Sequence, residues 1–292
     1  MGIRIVTDSS CDLWLDYLAE NKDIIEIAPS YITLEESNYL DDYGVANYNL
    51  DEFYHAIRNG KRPSTAMVTP GRFQEIFMRM VDEGDEILYV GFSSAMSSVH
   101  DSAIMAKRMV LEERPDAVIH IIDTGSASLG LGMLIIEAVK RIRAGKSSAE
   151  IAEWIESVKR NVNHWFGVDS LGYLKAGGRI SPAVAVIGTA LNMKPTLTIN
   201  TKGQIVPAGT VRGRKKSISL LADKAKTLYD PSFGCDIYIV HGDAPVDAAE
   251  LARQIREALG VEPKLNRLNA TIATHVGPGT MAVVFMGKER SV

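Results

Sequence analysis

The stretch that decides the fold is EILYVGFSSAMSSVHDSAIMAKRMVLEERPDAVIHIID, residues 86–123. Two short apolar runs within it, Glu86–Phe92 and Val118–Ile122, predict buried strands. Between them, Ser97–Glu112 has the length and the apolar spacing of a helix. Two strands joined by a helix predict parallel pairing, because a parallel crossover needs a dozen or more residues and is usually helical.

The same alternation continues toward both ends of this unit. Further strands are predicted at Ile3–Thr7 and Ile24–Ile27, and further helices at Leu50–Arg58, Arg72–Val81 and Ala127–Arg143. Strands that alternate with helices favour a parallel sheet covered by helices on both faces. We therefore expect residues 1–165 to form an N-terminal α/β lobe.

The pattern changes after about Asn163, where glycine and proline become frequent. The expected strands are Thr196–Ile199, Gln204–Val206, Asp236–His241, Ala270–Thr274 and Met281–Met286, and the expected helices are Lys216–Tyr229 and Asp247–Leu259. This mixture predicts an α+β lobe over residues 166–292, with a sheet that is at least partly antiparallel.

Composition narrows the classes of function. The chain has 292 residues, 46% of them apolar, and a net charge of −4, which gives no general attraction to nucleic acid. Its two cysteines, Cys11 and Cys235, have no paired spacing, and neither a signal peptide nor an apolar run of membrane-spanning length is evident. We expect a cytoplasmic protein without a transmembrane segment.

The common catalytic signatures are missing. The sequence has no GxxxxGK[ST] phosphate loop, and GFSSA at 91–95 lacks the second glycine of a hydrolase elbow. The six histidines show none of the short spacings that gather a metal ion, so no metal site is expected. Asp8 follows a strand and precedes two serines, a position that favours a helix cap over a nucleophile.

Hydroxyl-rich loops follow two of the predicted elements. Ser93 and Ser94 lie between a strand and a helix, at the carboxyl edge of the sheet where ligands bind in α/β folds. A serine helix cap with exposed neighbours explains this loop equally well. Thr65 belongs to a second such loop, TAMVTP at 65–70, which is also typical of a proline-started helix.

Three further groups are candidates for binding an anion. Arg179 follows paired glycines in LKAGGRIS at 174–181, a context that permits close backbone approach to a ligand and aims a guanidinium at it. His275 is expected at the end of a strand before a Gly-Pro-Gly turn, where a structural role is the more common one. The basic run that contains Arg212, Arg214 and Lys215 fits either a solvated helix start or a docking patch.

In order along the chain, these segments resemble the DegV family, whose better-understood members are the fatty-acid-binding subunits of bacterial fatty acid kinase. The resemblance runs from end to end, and its segments are VTDSS at 6–10, TAMVTPGRF at 65–73, SSAMSS at 93–98, DTGSASLGLG at 123–132, LKAGGRIS at 174–181, KPTLTINTKGQI at 194–205, VRGRKK at 211–216 and THVGPGT at 274–280. No single segment is decisive, but their order and spacing are specific.

The resemblance implies a two-lobed fold that holds one long-chain fatty acid in a tunnel between the lobes. It also implies that the carboxylate is bound by Thr65, Ser93, Ser94, Arg179 and His275, with no cofactor. Such a carrier presents its ligand to a separate ATP-using kinase, for which Arg212, Arg214 and Lys215 are candidate contacts, and carries acyl-phosphate toward phospholipid synthesis. Ala66 and Met67 replace the usual Ser and Gln of the family's first loop, which implies a different pocket wall and acyl preference.

A second hypothesis is an enzyme or kinase subunit that acts on a small carbonyl substrate. His275 would then bind the carbonyl compound and Ser94 would serve as a nucleophile. A transcriptional module has no basic recognition helix to support it. Lipid extraction distinguishes the first two hypotheses, because only the carrier should retain a stoichiometric acyl chain.

Overall fold

The computed structural model describes residues 2–42, 49–181 and 192–291. The strands of the first sheet are β1 (Ile3–Asp8), β2 (Ile25–Ala28), β6 (Glu86–Gly91) and β7 (Ile119–Asp123). All pair in parallel, in the order β2-β1-β6-β7. The predicted parallel sheet is therefore confirmed.

Helices cover both faces of this sheet, as predicted. They are α1 (Leu15–Glu20), α2 (Leu50–Arg58), α3 (Pro70–Asp82), α4 (Val99–Glu113), α5 (Leu129–Arg143) and α6 (Ser148–Val158). Ile87 and Tyr89 of β6 pack in one core with α3 and α4, whereas Leu88 and Val90 pack in another core that includes α5. Successive residues of a strand point to opposite faces, so a buried strand needs apolar residues at every position.

A small antiparallel sheet, which the sequence did not predict, lies beside the first. Its strands are β3 (Tyr31–Leu34), β4 (Ser37–Leu40) and β5 (Ser64–Ala66), in the order β4-β3-β5. The strands are short and largely solvent-accessible, so they lack a strong apolar pattern. Pairing of Thr65 with Ile32 fixes the threonine within this sheet.

The second large sheet has six strands, and most of its pairs are antiparallel. These strands are β8 (Val162–Gly167), β9 (Met193–Ile199), β10 (Ile205–Arg212), β11 (Tyr238–His241), β12 (Lys264–Arg267) and β13 (Met281–Met286). Their order is β10-β9-β8-β13-β11-β12, and only β11 and β12 pair in parallel. The mixed α+β lobe agrees with the prediction.

The two faces of this sheet pack against different partners. The remaining helices are α7 (Gly172–Ala176), α8 (Arg214–Leu228), α9 (Pro245–Leu259) and α10 (Ala270–Val276). Trp165, Val283 and Phe285 belong to a core formed with α8 and α9. Their neighbours on the opposite face, including Phe166 and Val284, belong to the core shared with the first lobe.

The expected strand at Ala270–Thr274 is wrong, because this segment begins helix α10 and His275 lies in its last turn. The β-branched residues of ATIATHV favour a strand when the sequence is considered alone. In the structure, buried carboxylates satisfy backbone N–H groups at the helix start. Asp12 Oδ1 accepts from Asn269 N at 2.7 Å and Asp41 Oδ2 accepts from Thr271 N at 2.8 Å. Such long-range contacts override local propensity.

The expected boundary at residue 165 falls inside β8, which is the first strand of the six-stranded sheet. The sequence also missed α6, whose Ser147 and Glu150 form a capping box at its start.

Helix α5 lies between the two large sheets, contacting β6 on one side and β8 and β13 on the other. Its residues Leu129–Val139 are all buried. Among the described residues, no helix is both long and apolar enough to cross a membrane.

The contact between α5 and β8 depends on one glycine. A Cβ added at Gly130 would lie 1.9 Å from His164 Nε2, and His164 is itself buried. We expect Gly130→Ala to destabilise the protein by about 1–3 kcal/mol, because it overpacks this junction. Gly71→Ala is the matched control, since nothing lies within 4 Å of its added Cβ.

The control substitution should stabilise the protein by about 0.4–1 kcal/mol, because it restricts the unfolded chain without a clash. Urea unfolding of both variants measures the two effects. Equal stabilities for the two variants would contradict the close approach of α5 to β8.

Candidate functional site

A cavity of about 520 Å³ lies between the first lobe and the second large sheet. One wall is apolar and comes mainly from the second sheet and from α10 with the residues before it. Its side chains are Phe166, Ile199, Ile205, Val240, Leu268, Ile272, Ala282 and Val284. Cross-strand pairing of Ala282 with both Phe166 and Val240 places these three residues on one sheet face.

Four of the five residues predicted to bind an anion line the cavity, and three of them, Thr65, Arg179 and His275, lie together at its polar end. Thr65 comes from β5, Ser94 from the loop after β6, Arg179 from the segment after α7, and His275 from the end of α10. Thr65 Oγ1 lies 2.9 Å from His275 Nε2, although the two residues are 210 positions apart in sequence. Both lobes therefore contribute to this end of the cavity.

The fifth predicted residue, Ser93, is not among the residues that line the cavity. It is fully buried, and its Oγ donates to the carbonyl oxygen of Gly203 at 2.8 Å. Its backbone N–H donates to Ser126 O at 3.0 Å. Ser93 thus ties the loop after β6 to the turn between β9 and β10, while its neighbour Ser94 faces the cavity.

Arg179 is half-buried, and its guanidinium donates to the carbonyl oxygen of Gly177. Desolvation lowers its pKa. Within residues 2–42, 49–181 and 192–291, no carboxylate lies within ion-pair distance of Arg179. A half-buried cation without an acidic partner makes this end of the cavity suited to an anion.

His275 lies beside the Arg179 cation and is a neutral base. Burial, followed by the positive charge of Arg179, lowers the pKa of His275 to about 4. Its position at a helix C-terminus would favour the protonated form, but this weak effect does not overcome desolvation. The imidazole is therefore uncharged at neutral pH, and Nδ1 has no hydrogen-bond partner among the described residues.

The first of the paired glycines, Gly177, allows a close approach of the backbone, here to the side chain of His275. A Cβ at Gly177 would lie 2.4 Å from His275 Nδ1, so only glycine lets the end of α7 contact the imidazole. Gly178 has a φ of +72°, which L-residues rarely adopt. The turn they form leads directly into Arg179, whose positive charge acts on the imidazole.

Sequence reasoning missed Asp123, the last residue of β7. Its Oδ2 accepts from Ser94 Oγ at 2.5 Å, and its Oδ1 accepts from the N–H groups of Ser94 and Gly125 at 3.2 and 2.9 Å. These bonds outweigh desolvation and lower the pKa of Asp123. The sequence did contain one indication of its role. Asp123 lies at the end of a predicted strand, and that strand was expected to lie next to the strand that precedes Ser93.

The other predicted residues lie elsewhere. Asp8 caps the short turn at Ser9–Cys11 by accepting from Ser10 N at 2.9 Å, as expected, although it also lines the cavity. In the basic run, Arg214 forms ion pairs with Asp169 and Asp247, whereas Arg212 and Lys215 are exposed. No metal-binding cluster occurs in the described part of the chain.

This architecture defines a class of protein: a two-lobed α/β fold with a partly apolar cavity. At one end of the cavity lies a cation that has no acidic partner in the described part of the chain. The sequence model described as "Uncharacterised protein, DegV family" matches residues 2–288. A DegV domain-containing protein of Clostridium perfringens is 38% identical over 286 residues, covering 97% of each chain. This chain belongs to the DegV family.

Solved structures of the family share the fold over nearly the whole chain. A DegV-family protein of Thermus thermophilus, described by its fatty acid binding, is 29% identical with a TM-score of 0.82, covering 98% of this chain and 100% of its own. A fatty-acid-binding DegV-family protein of Streptococcus agalactiae is 26% identical, with a TM-score of 0.85 and coverage of 99% and 100%. A stearic-acid-binding protein of Eubacterium ventriosum is 25% identical, with a TM-score of 0.84 and 98% coverage of both chains.

The coupling between Arg179 and His275 can be measured in the ligand-free protein. We expect the His275 ring resonances to titrate with a midpoint of about 4 in the wild type. In Arg179→Ala, the midpoint should rise because a neighbouring positive charge is gone, yet stay below the usual value near 6.5 because burial remains. NMR titration tests this, and an unchanged midpoint in the variant would show that the two groups are not coupled.

Proposed function

We propose that this protein binds one long-chain fatty acid in the cavity between its lobes, with the carboxylate at the Arg179 end. The observation that carries this proposal is the position of Arg179 at the polar end of a cavity with one apolar wall, as a half-buried cation that has no acidic partner among the described residues. Fatty acid binding by family members of similar fold supports it.

The energetics of burial favour such a ligand. A cavity of about 520 Å³ is within the usual range for small-molecule sites. Burying about ten methylene groups at ~0.8 kcal/mol each supplies on the order of 8 kcal/mol before the costs of association. The apolar wall from the second sheet is the natural surface for the acyl chain.

The carboxylate requires donors, because an unpaired anion in this cavity would be strongly disfavoured. In the proposed complex Arg179 supplies the charge. Neutral His275 donates from Nε2 to Thr65 Oγ1, which leaves the hydroxyl hydrogen of Thr65 for the ligand. Ser94 donates to Asp123 and reaches the carboxylate only by exchanging that bond. Ser93 acts indirectly, by holding the loop that carries Ser94.

The protein acts in this proposal as a carrier and not as an enzyme. It presents the fatty-acid carboxylate to a separate ATP-dependent kinase in the cytoplasm and carries the acyl-phosphate toward phospholipid synthesis. The absence of a phosphate-loop sequence supports a nucleotide site on the partner. Exposure of Ser94 supports access of that partner, because it indicates that the cavity opens to the surface at this residue.

Extraction of the purified protein with organic solvent, followed by mass spectrometry, tests the ligand. We expect about one long-chain fatty acid per protein molecule. Arg179→Ala should remain folded and lose fatty-acid affinity roughly tenfold to hundredfold, because the carboxylate is left underpaired at a half-exposed position. A fluorescent fatty-acid displacement assay measures the affinity.

Lys175→Ala is the matched control for this variant. It removes an exposed cation from α7, four residues before Arg179, and should leave affinity unchanged. Equal affinities for the two variants would refute the head-group assignment. Turnover of a small carbonyl compound by the protein alone, with no lipid in the extract, would instead support the enzyme hypothesis.

A kinase contact at the exposed basic residues gives a separate prediction. Combined Arg212→Glu and Lys215→Glu should slow acyl-phosphate formation by the cognate kinase about threefold to tenfold at low salt, because like charges oppose association. Arg214 is left intact, since reversing it would break the ion pairs to Asp169 and Asp247. Fatty-acid affinity should not change.

The combined Lys226→Glu and Lys288→Glu variant controls for net charge, because it reverses two exposed lysines outside the basic run and lowers the net charge equally. If this control slows the kinase as much as the double variant, the effect belongs to overall charge and the docking assignment fails. Unchanged kinase turnover in the double variant would also contradict the docking assignment.

A further inference from the structure

Helix α10 is held at its start by the first lobe. It has seven residues, and its sequence consists largely of β-branched and small residues. A helix this short is not stable by itself, and β-branched residues lower its intrinsic propensity further. Its conformation therefore depends on contacts from elsewhere in the chain.

Two buried carboxylates supply those contacts. Asp41 Oδ1 accepts from Asn269 Nδ2 at 2.5 Å, and Asp41 Oδ2 accepts from Thr271 N at 2.8 Å. Asp12 Oδ1 accepts from Asn269 N at 2.7 Å. Asp12 and Asp41 are almost completely inaccessible to solvent. Together they bind donors at the helix start that would otherwise be buried without partners.

Asp41 is in turn fixed within its own lobe. Its carbonyl oxygen accepts from Ser9 Oγ at 2.6 Å, and its N–H donates to Ser30 O at 2.8 Å. Ser9 Oγ also accepts from Ser30 N at 2.8 Å. These bonds fix the backbone at Asp41. Its carboxylate therefore reaches the start of α10 from a fixed position.

The same helix carries the head-group histidine. Thr271 and His275 are four residues apart, so they lie on one helix face about 6 Å apart along the axis. Both line the cavity. A shift or fraying of the first turn would therefore move His275 relative to Thr65, its 2.9 Å partner from the other lobe.

We propose that Asp41 and Asp12 are positioning residues for the fatty-acid site, whose carboxyl oxygens hold the start of α10 and so place His275 against Thr65. This inference rests on the proposed function for its effect on binding. The placement of His275 is a property of the ligand-free protein. The two can therefore fail separately.

The experiment compares Asp41→Ala with Ser148→Ala. The first change removes both bonds from Asp41 to the helix start, whereas the second removes an equally buried hydroxyl that bonds Glu86 and His120, away from the cavity. We expect Asp41→Ala to weaken fatty-acid binding at least tenfold and Ser148→Ala to change it less than twofold. In ligand-free protein, the His275 titration midpoint should rise from about 4 only in Asp41→Ala.

Two further variants keep the test decisive if Asp41→Ala does not fold. Asn269→Ala removes the side-chain bond to Asp41 and keeps the bond from Thr271 N, so it should weaken binding about threefold, with a smaller rise in the His275 midpoint. Asp41→Asn should restore nearly wild-type values, because the new amide accepts from Thr271 N while the Asn269 amide turns to accept from it.

The results separate the two claims. Wild-type affinity and an unchanged His275 midpoint in Asp41→Ala, or in Asn269→Ala where the former is unfolded, would overturn the positioning role. A loss of binding in Ser148→Ala equal to that in Asp41→Ala would overturn it too. If the wild type binds no fatty acid, the proposed function fails, and the His275 titration alone decides whether Asp41 positions the histidine.

Discussion

The structure depends on keeping a cation and a neutral histidine side by side in a cavity that excludes much of the solvent. Arg179 and His275 would repel each other if both were charged, and the lowered pKa of His275 shows that the neutral imidazole is favoured. Desolvation and the guanidinium act in the same direction. One positive charge is therefore available to an anion at neutral pH, and the histidine contributes hydrogen bonding.

This arrangement requires parts of the chain that are distant in sequence. Gly177 brings the end of α7 against the imidazole, and Thr65 reaches it from the small antiparallel sheet. Helix α5 lies between the two large sheets and sets their separation, since Gly130 permits its close contact with β8. The cavity is thus a consequence of how the lobes pack, and neither lobe forms its polar end alone.

The sequence predicted most of the fold because its main elements have strong local patterns. The strand at Glu86–Phe92 is apolar throughout and α3 has one apolar face, so both were predicted within about two residues of their observed bounds. The helix at Ala270–Val276 could not be predicted in this way, because its stability comes from Asp12 and Asp41, more than 200 residues away. Local propensity depends on neighbouring residues and does not reflect such a long-range contact.

In the candidate site, too, some features could be predicted from local sequence patterns and others could not. Arg179 and His275 were identifiable from their glycine-rich surroundings and family motifs. The different positions of Ser93 and Ser94 were not, because the pattern after a strand end does not specify which hydroxyl faces the cavity. Side chains from both lobes meet at the polar end, so an anion bound there contacts the two lobes at once. Binding would then stabilise the packed arrangement of the two lobes, and at a hundredfold excess of ligand over the dissociation constant it would add about 2.7 kcal/mol to the free energy of unfolding. Retention of the ligand and stability of the fold are therefore thermodynamically linked.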